Sequence, residues 1–236
     1  MEMPREVPGG IRDKVILEAR AVSKTYGAGA GQVAALESVS VTLAQDEVLL
    51  IMGPSGSGKT TLLSIMGCIL QPTSGNVLIN GRNVGACDEH ELANIRRQSF
   101  GFVFQAFNLF RSLTAQENVE VVLRMKGKSK QGVRAEAAEL LERVGLGRRA
   151  HAYPRDMSGG EKQRTAIARA LAGDPPIILA DEPTANLDSK TGRDILQLLR
   201  GHAGELHKAV AIVSHDPKVE EVAHRVIYLE DGRLRS

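Results

Sequence analysis

The stretch Gly53-Pro-Ser-Gly-Ser-Gly58-Lys59-Thr60 constrains the chain most, because it reads G-x-x-x-x-G-K-[ST] between a strand-like run and a helix-like one. The residues before it, Glu47 to Met52, are mostly apolar β-formers, and those after it, Thr60 to Leu70, form a largely apolar run of helical length. A helix that opens straight out of a glycine loop presents unpartnered backbone N–H groups and a favourable partial charge to an anion. The loop thus predicts a phosphate site. Gly53, Pro54, Ser55, Gly56, Ser57 and Gly58 would wrap phosphate oxygens, with Thr61 completing the cradle. Lys59 would neutralise the β and γ oxygens of a nucleoside triphosphate, and Thr60 would hold Mg²⁺.

The surrounding pattern extends that strand and helix into an α/β fold. Val15 to Val22 and Leu36 to Leu43 read as two further strands before the loop, and Val77 to Asn80, with the turn Asn80-Gly81, as a short one after it. Phe100 to Phe104 is another strand candidate. Helical signals follow: the capping-box spacing Thr114 to Glu117, and Gln131 to Val144 with apolar residues at helical intervals. Residues 106–168 therefore read as a helical insert in a core made of 13–105 and 169–236. Strand and helix alternate again over Ile177 to Asp181, Ser189 to Arg200 and Ala209 to Ser214, and Val226 to Leu234 closes as a hairpin around Asp231-Gly232. Such alternation predicts a mainly parallel sheet covered on both faces.

Composition removes several function classes. The longest apolar runs, such as Val48 to Met52, are far shorter than the roughly 18 to 20 residues of a membrane span. The polar start MEMPREVPGG lacks the apolar core of a secretory signal, so a soluble cytoplasmic protein is expected. Cys68 and Cys87 are expected to be free thiols. A net charge of +2 leaves out the basic footprint of a nucleic-acid binder, and the run Arg124 to Lys130 has no aromatics with which to stack bases. No nucleic-acid partner is expected.

Two further motifs carry chemistry. Ile177 to Asp181 ends an apolar strand in the adjacent carboxylates Asp181 and Glu182; at the sheet edge beside the loop, Asp181 would join the Mg²⁺ shell and Glu182 would polarise a water for attack on the γ-phosphate. Ser158-Gly-Gly-Glu161 fits a capping box, yet a cap does not require Gly159 and Gly160, each of which costs about 1 kcal/mol inside a helix. Close approach of something to that backbone is expected. A second anion-binding helix start in a chain with one nucleotide place suggests a dimer, each copy covering the other's nucleotide.

The phosphate loop, Ser158 to Gln163, Asp181-Glu182, Asp188 and His215, in this order and spacing, resemble the ATPase subunit of ABC transporters over nearly the whole chain. The resemblance implies a P-loop NTPase core with an N-terminal antiparallel β subdomain and an inserted α-helical subdomain. It also implies ATP and Mg²⁺ as ligands, and as partners a second copy in a head-to-tail ATP sandwich and an integral membrane permease. By it, Ser158, Gly159 and Gly160 contact the γ-phosphate held by the opposite subunit, Tyr26 stacks on adenine, and Gln105 touches Mg²⁺ and the attacking water. Asp188 links the two sites, and His215 senses the γ-phosphate. Taken alone, Tyr26 also reads as an ordinary tyrosine and His215 as a loop residue.

The signature reads Met157-Ser-Gly-Gly-Glu161 where Leu and Gln are commonest in the family. His151 to Asp156 lacks the acidic pattern of exporters with fused membrane domains, which implies a separate permease. Ile51 to Pro54, Leu113 to Val119 and Leu179 to Asp188 resemble the subgroup of lipoprotein-releasing, macrolide-exporting and glycolipid-exporting ATPases, implying a lipid, lipoprotein or amphiphile as cargo. Phe107 to Phe110 belong either to a permease groove or to the core. Two rivals remain: the same ATP-driven clamp used as a mechanical signal to a periplasmic cell-wall hydrolase, and an ABC ATPase of DNA repair or translation, although the long coiled coils and tandem domains of that last class are missing.

Overall fold

A computed structural model describes residues 14–235 apart from 28, 186 and 206; the polar start at 1–10 and the boundary set at 13 fall outside the described residues. Two long strands, β1 (Val15–Tyr26) and β2 (Val33–Ala44), pair antiparallel and extend beyond the runs expected for them. Both are irregular. Ala21 and Ser38 take left-handed φ of 49°, and the hydroxyls of Ser40 and Ser23 accept their amide hydrogens at 2.9 Å in place of ladder bonds. With β4 (Ser74–Ile79) and β5 (Arg82–Asn83) they form an antiparallel sheet in the order β2-β1-β4-β5.

The second sheet is mainly parallel. Its strands β3 (Val48–Met52), β6 (Phe100–Val103), β7 (Ile177–Asp181), β8 (Ala209–Ser214), β9 (Arg225–Glu230) and β10 (Arg233–Leu234) lie in the order β10-β9-β3-β8-β7-β6. Only β10 runs antiparallel to its neighbour. Every residue of β3 and β8 is buried, as central strands covered on both faces require. The two faces feed separate cores. Val48, Leu50, Met52, Val210 and Ile212 point into one apolar cluster, while Leu49, Ile51, Ala211 and Val213, the alternate residues, point into the other.

Helix α1 (Lys59–Met66) follows the phosphate loop and packs with the antiparallel sheet on the second face. It ends earlier than Leu70 because Cys68 turns left-handed, with φ of 57°, and Ile69 N closes back on Ser64 O at 2.9 Å; Gly67 just before lies against the Phe102 ring, where a Cβ would come within 2.5 Å. Both cysteines are free and buried, and burial pushes the Cys68 thiol up to about 11. Helix α2 (Glu89–Ser99) was not expected: only Leu92 is buried, so apolar periodicity is weak, although Asp88 and Glu91 form a full capping box. On the first face lie α3 (Ala115–Met125), α4 (Lys130–Arg143), α5 (Gly159–Leu171) and α6 (Ser189–Glu205). The capping box at Thr114 forms as its sequence predicts.

Candidate functional site

The neighbouring strands β3, β8, β7 and β6 run the same way, so the residues that follow them meet at one sheet edge despite their distance in sequence. There the phosphate loop after β3, His215 after β8, Glu182 after β7 and Gln105 after β6 surround a cavity of about 670 Å³. Pro54, Ser55, Gly56, Gly58, Lys59, Thr60 and Thr61 form one wall, and Ala35 on β2 contributes from the other sheet. Sequence reasoning missed Ala35. Its signal is indirect: Gly58, at φ 99°, has no room for a Cβ because Ala35 O would lie 2.3 Å from it.

Gly53 and Ser57 sit behind the lining. At Gly53, with φ of 150°, a Cβ would lie 2.0 Å from Leu229 O, and Ser57 O accepts from Gly232 N at 3.1 Å. The hairpin of β9 and β10 thus braces the loop from behind. The Ser57 hydroxyl is buried without a hydrogen-bond partner among the described residues. Gly58 leaves α1 without a side-chain cap, so its first amides remain available to a ligand. Lys59, 7% exposed, donates to Gly53 O and Pro54 O at 2.8 Å each. It meets carbonyls rather than a carboxylate, a placement that phosphate oxygens can improve upon.

Thr60 Oγ1 donates to Asp181 Oδ1 at 3.1 Å. Burial pushes the Asp181 carboxyl above its ordinary range and the neighbouring Glu182 adds to this, while the Thr60 hydroxyl and Lys59 oppose it. A cation beside Thr60 would favour the charged form. A hydroxyl and a carboxylate at the foot of a phosphate loop are oxygen donors suited to a hard cation shared with phosphate and water, so the residues fit a Mg-nucleotide.

Glu182 departs from β7 with a left-handed φ of 46°, its N–H donating to Val213 O at 2.9 Å. Its carboxylate is held at both ends: Oε1 lies 2.7 Å from His215 Nδ1, and Oε2 accepts from the Ser214 hydroxyl at 3.1 Å. Ser214 was not singled out from sequence, though it is the last residue of an apolar strand before His215. Such an arrangement orients one carboxylate oxygen pair toward the cavity edge and can take a proton from water there.

Ser158, Gly159 and Gly160 do not line this cavity. Ser158 caps α5 with a complete capping box: its Oγ accepts from Glu161 N at 3.2 Å and Glu161 Oε2 accepts from Ser158 N at 2.8 Å. Backbone hydrogen bonding at Ser158, with the Arg149 guanidinium, holds the Glu161 carboxyl below its ordinary range. The expectation of a close approach at Gly160 is met inside the same chain, since a Cβ there would lie 2.6 Å from Thr191 Cγ2 on α6. That glycine alone therefore no longer argues for a second copy. Asp188 caps α6, accepting from Lys190 N and Thr191 N at 3.1 and 3.0 Å; the Thr191 side chain, with these amides, holds its carboxyl below the ordinary range. Tyr26 is 44% exposed at the end of β1, outside the cavity lining, with Lys24 Nζ 5.4 Å from its ring centre.

A model of the family described as "ABC transporter" matches residues 36–185. The chain belongs to the ABC transporter family. As an ABC cassette it is an ATP-hydrolysing subunit. The uncharacterized ABC transporter ATP-binding protein MJ0796 of Methanocaldococcus jannaschii is 47% identical over 223 residues, covering 93% of this chain and 95% of that one. A Thermotoga maritima ABC transporter ATP-binding protein is 46% identical over 221 residues, 94% of each. The macrolide export ATP-binding/permease protein MacB of Hyphomonas neptunium is 44% identical over 224 residues, but this cassette spans only 34% of its length. Among solved structures, the dimeric post-hydrolysis state of MJ0796 bound to ADP and Pi superposes with a TM-score of 0.88 at 46% identity, covering 94% of this chain and 97% of that one. The cassette thus has the fold of the ABC ATPases, with its antiparallel sheet beside a mainly parallel one. Among the described residues no helix is long and apolar enough to cross a membrane.

Proposed function

We propose that two copies of this cassette close over two Mg-ATP molecules, and that closure drives a separate integral membrane permease. The carrying observation is the cavity itself: its lining supplies a phosphate loop and an oriented carboxylate but none of Ser158, Gly159 or Gly160. In this reading those three residues complete the nucleotide site of the opposite copy, with Asp188 between the two sites. The dimeric MJ0796 structure with ADP and Pi supports it. Residues 13–105 and 169–236 form the nucleotide core and 106–168 the helical part, with residue 13 itself outside the described range.

Within each site Lys59 turns from Gly53 and Pro54 to the β and γ oxygens, and the loop amides take the remaining phosphate oxygens. Thr60, Asp181 and Gln105 would hold Mg²⁺, which neutralises charge developing between the β and γ phosphates. Glu182, oriented by Ser214 and His215, accepts the proton of the attacking water, while His215 reports the γ-phosphate. Tyr26 stacks on the adenine from the exposed end of β1.

Beside the Gln105 loop an apolar groove of about 420 Å³ supports permease docking. Phe102 stacks with Phe100 and Phe104 at centroid distances of 5.7 and 5.9 Å, and Phe110 and Met125 stand 53% and 61% exposed at its rim. Phe110 thus serves the groove, whereas Phe107 lines a different recess. The MacB relatives, named for macrolide export, support export of an amphiphile, and the cassette would sit on the inner face of the membrane through its permease.

Glu182→Gln tests the chemistry. Hydrolysis is expected to fall by roughly 100-fold or more while ATP still traps a dimer; near-normal hydrolysis would remove Glu182 from the role of base. Purification from membranes with the bound partner tests the rest, and a cassette recovered without any integral membrane protein counts against a transport role.

A further inference from the structure

Arg169 on α5 is 9% exposed and makes no ion pair among the described residues. A buried guanidinium without a carboxylate is an expensive feature, and it calls for another reason. Its fork donates to two consecutive carbonyls, that of Asn108 and that of Phe107, the latter at 2.9 Å. Phe107 and Asn108 both hold left-handed φ, 61° and 48°, a tandem that residues with a Cβ resist. Two residues before them is Gln105, at the cavity.

The far end of the same loop is held as firmly. Asn118 on α3 is fully buried; its Oδ1 accepts from Phe110 N at 2.8 Å, and its Nδ2 donates to the carbonyls of Phe110, Leu113 and Thr114 at 3.2, 3.1 and 2.9 Å. Helix α5 itself sits flush on β6, since a Cβ on Gly101 would come within 2.0 Å of Ala170 O. The helix that begins at Ser158 is thereby fastened both to the strand that leads into Gln105 and to the loop that follows it.

We propose that Arg169 is a positioning residue for ATP hydrolysis: with Asn118 it holds the 106–113 loop, left-handed at Phe107 and Asn108, and so sets Gln105 in the cavity at a place fixed by α5. A shift of the Ser158 end of α5 is then passed to Gln105 through one guanidinium. The proposal rests on the reading of Gln105 given above.

The experiment compares steady-state hydrolysis and equilibrium binding of a fluorescent ATP analogue for the full chain and four variants. Arg169→Lys keeps the charge but replaces a planar fork, whose two nitrogens each hold one carbonyl, by a single shorter ammonium. Its kcat is expected to fall about 10- to 100-fold, as for a misplaced catalytic group, with nucleotide affinity within about twofold. Adding Asn108→Gly, which adopts positive φ without strain, is expected to recover at least about threefold of the lost kcat. Gln105→Ala is expected to lower kcat by itself, and Arg169→Lys to add no further loss to it. An unchanged kcat in Arg169→Lys beside an impaired Gln105→Ala overturns the proposal alone. Parallel loss of affinity and kcat without recovery by Asn108→Gly also overturns it, by reducing Arg169 to packing. Normal turnover of Gln105→Ala removes the reading beneath it.

Discussion

Two helices of this cassette begin with glycines, and their ends are opposites. Helix α1 opens at Gly58 without any side-chain cap, and Lys59 is already turned onto the loop. Helix α5 opens at Ser158 with a complete reciprocal cap reinforced by an Arg149–Glu161 ion pair at 2.8 Å. The first end is left unsatisfied and can take phosphate as it stands. The second is already folded on itself: the serine oxygen accepts from Glu161 N–H, and its hydroxyl hydrogen is left to donate to a phosphate oxygen that reaches it. An open end holds a ligand within one chain, and a closed end suits contact made only when a second body arrives.

Several substitutions would break or sharpen that contrast. The largest effect belongs to the open end: Lys59→Ala should lower hydrolysis by roughly 10²- to 10³-fold in a steady-state assay, as when one preorganised donor is removed. Retained turnover there would deny the open end its role. At the closed end, Gly160→Ala should destabilise the nucleotide-free cassette by about 1–3 kcal/mol through overpacking on Thr191. Adding Thr191→Ser removes the offending methyl and should restore the denaturation midpoint. If hydrolysis also returns to normal, Gly160 serves only its own chain.

Ser158→Ala should cost about 0.5–2 kcal/mol of stability without nucleotide, the worth of a lost cap. Ser57→Ala at the open end removes a hydroxyl with no partner and should change stability by less than about 0.5 kcal/mol. Equal losses at the two positions in urea titrations would erase the comparison. A pH-dependent effect is expected at Asp181, whose carboxyl is pushed up by burial and by Glu182. A raised carboxyl pKa gives stability that is present at low pH and lost as pH rises through the folded-state value. Asp181→Asn should therefore melt above the natural chain at neutral pH, with the gap closing on acidification, while Mg-dependent nucleotide binding weakens.

Much of this was legible because strong local signals coincide with global demands. The strands β7 and β8, apolar up to their closing Asp181 and Ser214, match their sequence reading residue for residue, since a strand buried on both faces has no polar alternative along its length. The capping boxes at Thr114 and Ser158 fixed helix starts in the same way. Helix α2 was hidden by its one-residue apolar face, and the end of α1 is set by a left-handed Cys68, a residue type that carries no turn signal. The site's motif residues were readable as types and spacings. Ala35, Ser214 and Thr191 were not, because each matters through a contact between elements far apart in the chain.

The brace behind the phosphate loop has a temporal meaning. Leu229 and Gly232 shape a turn whose own residues leave the ribosome about 175 positions earlier, counting from Gly53 to Leu229 or Ser57 to Gly232. The brace on the nucleotide-gripping turn is therefore complete only once the closing hairpin has been made, after every other strand of its sheet.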